Sequence, residues 1–142
     1  SETFLLSNMS PQVASFDRGI WKRLEKAVRM LDQDPDVFET YVLNAPVFYF
    51  GEVIETIGDD TDEYGIDVPI PHTFVKSVLT EDKRGRLSLW TFELPNQDID
   101  DDLDDYLAVT YGAEQLVGGR FWDRVAGGDL HEHKKQRGQF WI

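Results

Sequence analysis

The chain has 142 residues, a formal net charge of −13 and no cysteine. Its length suits one domain with a hydrophobic core, and the absence of cysteine excludes disulfides and thiolate metal sites. No apolar run approaches the ~18 residues of a membrane-spanning helix, so the sequence predicts a soluble chain with no membrane partner. No compartment follows from it; a secreted or periplasmic location would need an upstream signal.

The acidic net charge argues against general nucleic-acid binding, because phosphate contacts depend on clustered Lys and Arg. The charge is uneven, however. Residues 1–30 carry a balance of +2, whereas residues 31–142 carry −15. Any contact with nucleic acid is therefore expected near the beginning of the chain.

The first 32 residues predict a strand, a polar loop and a helix. The apolar run Phe4 to Leu6 ends at the loop Ser7 to Gln12, and a helical period is predicted after Asp17. One helix face is apolar and should pack on a core: Ile20, Leu24, Ala27, Val28 and Leu31. The basic residues of the helix then point outward or sideways: Lys22, Arg23, Lys26 and Arg29. Asp17 takes the position of an N-cap.

The remaining elements alternate without a repeat, which predicts a single α+β domain over residues 1–142, an antiparallel sheet with packed helices. Pro35 should interrupt the secondary structure after the helix. Pro46 suggests an edge or a bulge in the strand that contains it. The predicted strands are 41–50, 74–79 and 87–94, the last two joined by a hairpin turn over 81–86. Residues 68–71 should be extended, 59–63 an acidic loop, and 110–117 a helix ended by Gly118 and Gly119.

Three further clusters could carry chemistry. The aspartates of 98–105 begin like a calcium loop, but Leu103 and Val109 stand where glycine and glutamate are needed, which favours a solvated acidic loop. His131 and His133 could be metal ligands, although a mobile tail is the stronger interpretation. His72 is interpreted as a surface or hydrogen-bonded histidine rather than a base.

The loop and helix together carry a resemblance to a known family. Residues Ser7 to Gln12, followed by Asp17, Trp21, Glu25 and Arg29, resemble the second half of the active-site motif of the DNA/RNA non-specific endonucleases. These are the ββα-metal (His-Me finger) nucleases, which include mitochondrial endonuclease G and secreted bacterial nucleases. The likeness covers nearly the whole chain, continuing through Thr56–Gly58, Val68–Pro69, Phe74–Lys76, Phe92–Asn96 and Glu114–Trp122.

The resemblance implies a sugar-non-specific endonuclease that cleaves phosphodiesters of DNA and RNA with one hydrated Mg²⁺, for which Mn²⁺ could substitute. It implies that Asp17 binds the metal, that Glu25 holds metal-bound waters, and that Arg29 stabilises the transition state. Substrate contacts are implied for Asn8, Gln12, Lys22 and Arg23. A homodimer is left open.

Two departures from the family pattern affect these expectations. The family usually has asparagine where this chain has Asp17, and a second carboxylate would lower the positive charge around the metal. The Asp-Arg-Gly-His element that supplies the family's general base lies upstream of this block, and Asp17-Arg18-Gly19-Ile20 does not replace it. We therefore expect a domain truncated at its N-terminus, inactive alone, with the N-terminal segment of the same nuclease as a partner.

A simpler interpretation exists for each site residue. Asp17 could be only a cap, Glu25 and Arg29 only an i,i+4 ion pair, and Asn8 only a turn residue. For the whole chain, the alternative function is a non-catalytic, degenerate nuclease whose acidic surface binds a basic protein.

Overall fold

The computed structural model describes residues 3–6, 10–58, 67–125 and 129–140, with residues 3–6 described for their backbone alone. Asn8 and the whole acidic loop 59–63 lie outside these ranges. The fold is α+β, with helices on one five-stranded sheet whose strands lie in the order Thr3–Leu6, Val37–Val47, Thr73–Asp82, Leu87–Pro95 and Leu107–Ala108. Among the described helices, none is long and apolar enough to cross a membrane.

The strands of the main sheet are β1 (Thr3–Leu6), β2 (Val37–Val47), β5 (Thr73–Asp82), β6 (Leu87–Pro95) and β7 (Leu107–Ala108). β3 (Thr56–Ile57) and β4 (Val68–Pro69) form a separate small hairpin pair. The helices are α1 (Ala14–Phe16), α2 (Lys22–Asp32), α3 (Thr110–Val117) and α4 (Leu130–Lys134), and Asp17–Trp21 is a π-helical turn. Leu103–Tyr106 is a short 3₁₀ helix.

The sheet is antiparallel except at one position, because β1 pairs with β2 in parallel. The expected antiparallel sheet is thus confirmed for the hairpin of β5 and β6, with Gly85 at φ +80 in its turn. The strand expected at 41–50 begins four residues earlier and ends three residues earlier. The pairing of β2 with β1 ends at Leu43, so Pro46 lies in a part of β2 that does not pair with β1. The bulge in β2 lies elsewhere, between Val37 and Glu39.

Helix α2 covers one face of the sheet through the predicted stripe, all of which is buried. It packs against Val42, Phe74, Val78 and Phe92. Because successive side chains of a strand point to opposite faces, the residues between these face the other side. There Val75 packs with Ala113 of α3 and with Phe121, and Leu79 packs with Leu130 of α4. The sheet is therefore covered on both faces.

Polar contacts hold the second face together. Glu114 accepts a hydrogen bond from Lys134 Nζ at 2.8 Å and another from the backbone N–H of Phe121 at 2.6 Å. The mobile tail expected around His131 and His133 is wrong, because α4 forms there. The buried Glu114–Lys134 pair and the buried side chain of Leu130 hold this helix on the sheet. The residues around Leu130 are mostly charged, so the sequence does not indicate that it is buried.

Candidate functional site

The helical segment 14–32 carries Asp17, Glu25 and Arg29 and is called the motif helix below. Its beginning departs from the expected geometry. The helical segment starts at Ala14, and the N–H of Asp17 bonds to the carbonyl of Val13 at 2.9 Å. Asp17 therefore lies inside a helical stretch and is not an N-cap, so that expectation is wrong. Gly19 breaks the helical path with φ −97 and ψ −112. Local π turns of this kind often occur at functional sites.

Asp17 is exposed beside this irregular turn. Among the described residues, its carboxylate makes no hydrogen bond and no ion pair. The oxygen atoms are therefore available to a cation or to water. No group of three potential metal ligands from His, Cys, Asp and Glu occurs within the described part of the chain.

Glu25 and Arg29 lie farther along α2, half-buried and exposed respectively. No ion pair joins them in the described structure, so the interpretation of these residues as a simple i,i+4 pair is not realised. The structure places Asp17, Glu25 and Arg29 on one helical segment, and none of them forms a hydrogen bond or ion pair with another described side chain. Asn8 falls in 7–9, outside the described residues.

The basic residues of α2 differ in their surroundings. Lys22 and Lys26 are exposed, and within the described ranges neither forms an ion pair. Arg23, by contrast, donates through Nη2 to the carbonyl of Asp101 at 2.9 Å and lies 3.8 Å from the carboxylate of Asp100. The acidic segment 98–105 therefore contacts the motif helix at one basic residue instead of being solvated throughout.

Asn96 fixes the chain that leads into α1. Its Oδ1 accepts from the N–H of Val13 at 2.8 Å, and its Nδ2 donates to the carbonyls of Pro11 and Pro71 at 3.3 and 3.0 Å. The side chain is buried, so each bond replaces one that water would otherwise supply. Gln12, a predicted substrate contact, is half-buried within this clamped segment.

His72 is held by both of its ring nitrogens. Nδ1 accepts from the N–H of Tyr49 at 3.0 Å, so Nε2 carries the proton and donates to the carbonyl of Val53 at 2.9 Å. A ring nitrogen that already accepts a hydrogen bond has no free lone pair with which to take a proton from water. The interpretation of His72 as a hydrogen-bonded histidine therefore fits its geometry.

Lys76 is a buried cation that the sequence did not single out. It lies on β5 between Phe74 and Val78, and its Nζ stands 4.4 Å from the centroid of the Trp21 ring. Burial lowers the pKa of Lys76 to about 8, and the charge of Glu25 partly opposes that change. In the sequence, Lys76 is one lysine within an apolar strand, and a lysine that faces solvent would produce the same pattern. The sequence therefore does not indicate that Lys76 is buried.

Comparisons with known proteins identify the family of this chain. Residues 1–127 match the family model described as DNA/RNA non-specific endonuclease. A nuclease from Syncephalastrum racemosum is 34% identical over 137 residues, covering 87% of this chain and 42% of that protein. Mitochondrial endonuclease G of Homo sapiens is 31% identical over 123 residues, covering 82% of this chain and 40% of that protein.

A chain in the crystal structure of the EndoG/EndoGI complex, a structure that addresses the mechanism of EndoG inhibition, superimposes on this chain with a TM-score of 0.71 and 28% sequence identity. It covers 84% of this chain and 50% of the matched chain. The chain thus spans half or less of the length of these relatives. With the family model matched over residues 1–127, the chain belongs to the DNA/RNA non-specific endonuclease family.

Proposed function

We propose that the protein to which this chain belongs is a metal-dependent, sugar-non-specific endonuclease that hydrolyses phosphodiester bonds of DNA and RNA. The observation that carries the proposal is the set of uncommitted charged side chains on the motif helix: Asp17, Glu25 and Arg29. They occur together in a chain that belongs to a nuclease family.

The donor chemistry at Asp17 fits a hydrated Mg²⁺. This ion dehydrates reluctantly and is usually held by one or two carboxylates together with several waters. Within the described part of the chain, this exposed carboxylate has no ion-pair partner and belongs to no group of three potential ligands, which matches that requirement better than the requirement of Ca²⁺ or Zn²⁺. When bound, Mg²⁺ would supply Lewis-acid stabilisation of the charge that develops on the phosphate.

The side chains of α2 would supply the remaining interactions. Glu25 would accept hydrogen bonds from water molecules at the site and so orient them. Arg29 would donate to the non-bridging phosphate oxygens, where negative charge increases in the transition state. Lys22 and Arg23 would attract the backbone of the substrate, together with Asn8 and Gln12 from the preceding loop.

We propose that the general base is a histidine from a segment preceding Ser1 in the parent protein. His72 uses both ring nitrogens in hydrogen bonds, and Nδ1 of His131 is hydrogen-bonded to the Tyr111 hydroxyl. The matched relatives extend well beyond the region that this chain covers. The segment is expected to join the same domain, either covalently or as a docked fragment.

Cleavage of supercoiled plasmid DNA in the presence of Mg²⁺ tests this function. The 142-residue chain should cleave more slowly than the parent protein by a factor of ~10²–10⁴, the usual contribution of a positioned base. In the parent protein, Glu25→Gln and Arg29→Ala should each lower the rate, and a chelator should stop cleavage.

Two outcomes would contradict parts of the proposal. Robust metal-dependent cleavage by the pure 142-residue chain would show that the base lies within it, with His133 and His131 examined next by substitution. Absence of cleavage by the parent protein would favour the alternative function, a degenerate nuclease that binds a basic protein through its acidic surface.

A further inference from the structure

Lys76 is a buried charge to which the proposed chemistry gives no role. The residue is 2% exposed and lies on the sheet face that α2 covers. Burying an unpaired ammonium is costly, and lysine is almost never fully buried unless it is paired. A charge kept at such a position needs a partner or a function.

The contacts of Lys76 are weaker than a salt bridge. Its Nζ lies over the Trp21 ring, and its cross-strand neighbours are Asn44 and Phe92. Asn44 is polar, but its buried Oδ1 has no hydrogen-bond partner among the described residues. Within the described ranges, the ammonium of Lys76 forms no ion pair and no hydrogen bond.

Glu25 is the charged residue whose field acts on Lys76. The helix geometry explains why, because Trp21 and Glu25 are four residues apart and therefore occupy the same side of the helix. A cation beneath the Trp21 ring consequently lies on the Glu25 side of α2. The two groups attract each other without touching.

We propose that Lys76 is a positioning residue for Glu25, acting from beneath α2 to hold the carboxylate turned toward the site. The inference rests on the proposed function, in which Glu25 orients water. A direct salt bridge would occupy the oxygen atoms of Glu25. An attraction at longer range leaves those oxygens free to accept hydrogen bonds, which is what the proposed role requires.

The electrostatic coupling can be measured without nuclease activity. Titration of the Lys76 side chain by NMR, through its ε-carbon shift, should give a pKa near the value of about 8 that burial imposes. Glu25→Gln should lower the pKa of Lys76 further, because the attraction that favours the charged form is lost. Glu132→Gln, an exposed residue on α4, is the matched control and should leave it unchanged. An unchanged pKa in Glu25→Gln would overturn the inference, whether or not the protein is a nuclease.

The catalytic consequence is tested in the parent protein. Lys76→Met should lower kcat by roughly tenfold with little change in KM, and Lys76→Arg should restore most of the loss. In the Glu25→Gln background, Lys76→Met should have no further effect on kcat, since the residue acts through Glu25.

A positioning role and a merely structural role predict different combinations of stability and rate. If Lys76 positions Glu25, Lys76→Met should unfold at a higher temperature than the wild type at neutral pH, because a buried charge has been removed, and yet it should cleave more slowly. A rate loss that accompanies a lower unfolding temperature and persists in the Glu25→Gln background would overturn the proposal. If the wild type proves inactive, the proposed function fails, and the titration still decides the coupling.

Discussion

At the scale of single residues, Asp17 carries the most specific expectation. Its exposed carboxylate, free of described partners, should bind one divalent ion with oxygen distances near ~2.1 Å for Mg²⁺. We predict that titration with Mn²⁺, followed by electron paramagnetic resonance, shows a single site in the wild type that disappears in Asp17→Ala.

A control is available in the same part of the chain. Asp34 is also acidic, but its carboxylate accepts a hydrogen bond from the N–H of Asp36 at 2.9 Å and lies after α2. Asp34→Ala should therefore leave the Mn²⁺ site intact. Equal binding by wild type and Asp17→Ala would mean that the metal is held elsewhere.

Lys76 gives a prediction about stability and pH. Its pKa in the folded protein, about 8, lies below the ordinary value of 10.5, so the unfolded chain binds more protons between these two values. The free energy of unfolding should therefore rise with pH in that window. Relative to Lys76→Met, the wild type should gain about 2 kcal/mol between pH 8 and pH 10.

Denaturant unfolding of both proteins across that range measures the difference. Taking the difference matters because Tyr106 acts in the opposite direction: its hydrogen bond to Asp101 raises its pKa to about 12, which lowers stability above pH 10. This effect is common to both variants and cancels. Parallel curves for the wild type and Lys76→Met would show that Lys76 keeps an ordinary pKa in the folded state.

At the scale of elements, the basic surface of α2 divides into two parts. Lys22 and Lys26 have no described partner, whereas Arg23 is engaged by the acidic segment. We predict that Lys22→Gln with Lys26→Gln weakens binding of a labelled DNA duplex far more than Arg23→Gln does. The slope of log K against log salt should fall by up to about 2, since each phosphate contact contributes about 0.9.

The β5–β6 turn offers a charge-matched control. Lys83→Gln with Arg84→Gln removes the same charge from exposed positions of this turn. Binding should be nearly unchanged in this variant. If both pairs of substitutions weaken binding equally, net charge alone governs the affinity, and the motif helix is not the contact surface.

The elements also show which parts of the fold were readable from sequence. The apolar stripe of α2, the β5–β6 hairpin and the bounds of α3 followed from periodicity and glycine, because each depends on neighbours in the chain. α1 and the turn at Gly19 were missed, since no local pattern encodes a break within a helical run. α4 was missed because its burial depends on Glu114, twenty residues away from Lys134.

The same distinction applies to the candidate site. The resemblance to the family identified the charged residues of the motif helix as site candidates, and among the residues that the structure describes Asp17, Glu25 and Arg29 form no ion pair. Lys76 and Asn96 could not be recognised, because their importance arises when β5 and β6 pass beneath the helix and the loop before it. The sequence thus indicated the charged groups on the motif helix better than the buried groups beneath it.

At the scale of the whole molecule, charge and fold separate into regions. The positive balance of residues 1–30 lies on one helical segment, and the remaining chain is strongly acidic. Such a distribution would direct a polyanion toward α2 and away from the rest of the surface. Specific contact is thus compatible with a net charge of −13, provided that it is confined to one side of the molecule.

The covering of the sheet on both faces has a consequence for how the molecule opens. β5 lies between β2 and β6, and every residue from Thr73 to Thr80 is buried. Its amide protons should be the slowest to exchange with deuterium, because releasing them requires both helical layers to separate from the sheet. β1, paired on one side only among the described strands, should exchange much sooner. The charged side chains of α2 would then stay in place during local opening at the edge of the sheet, and they would separate from the sheet only when its centre opens.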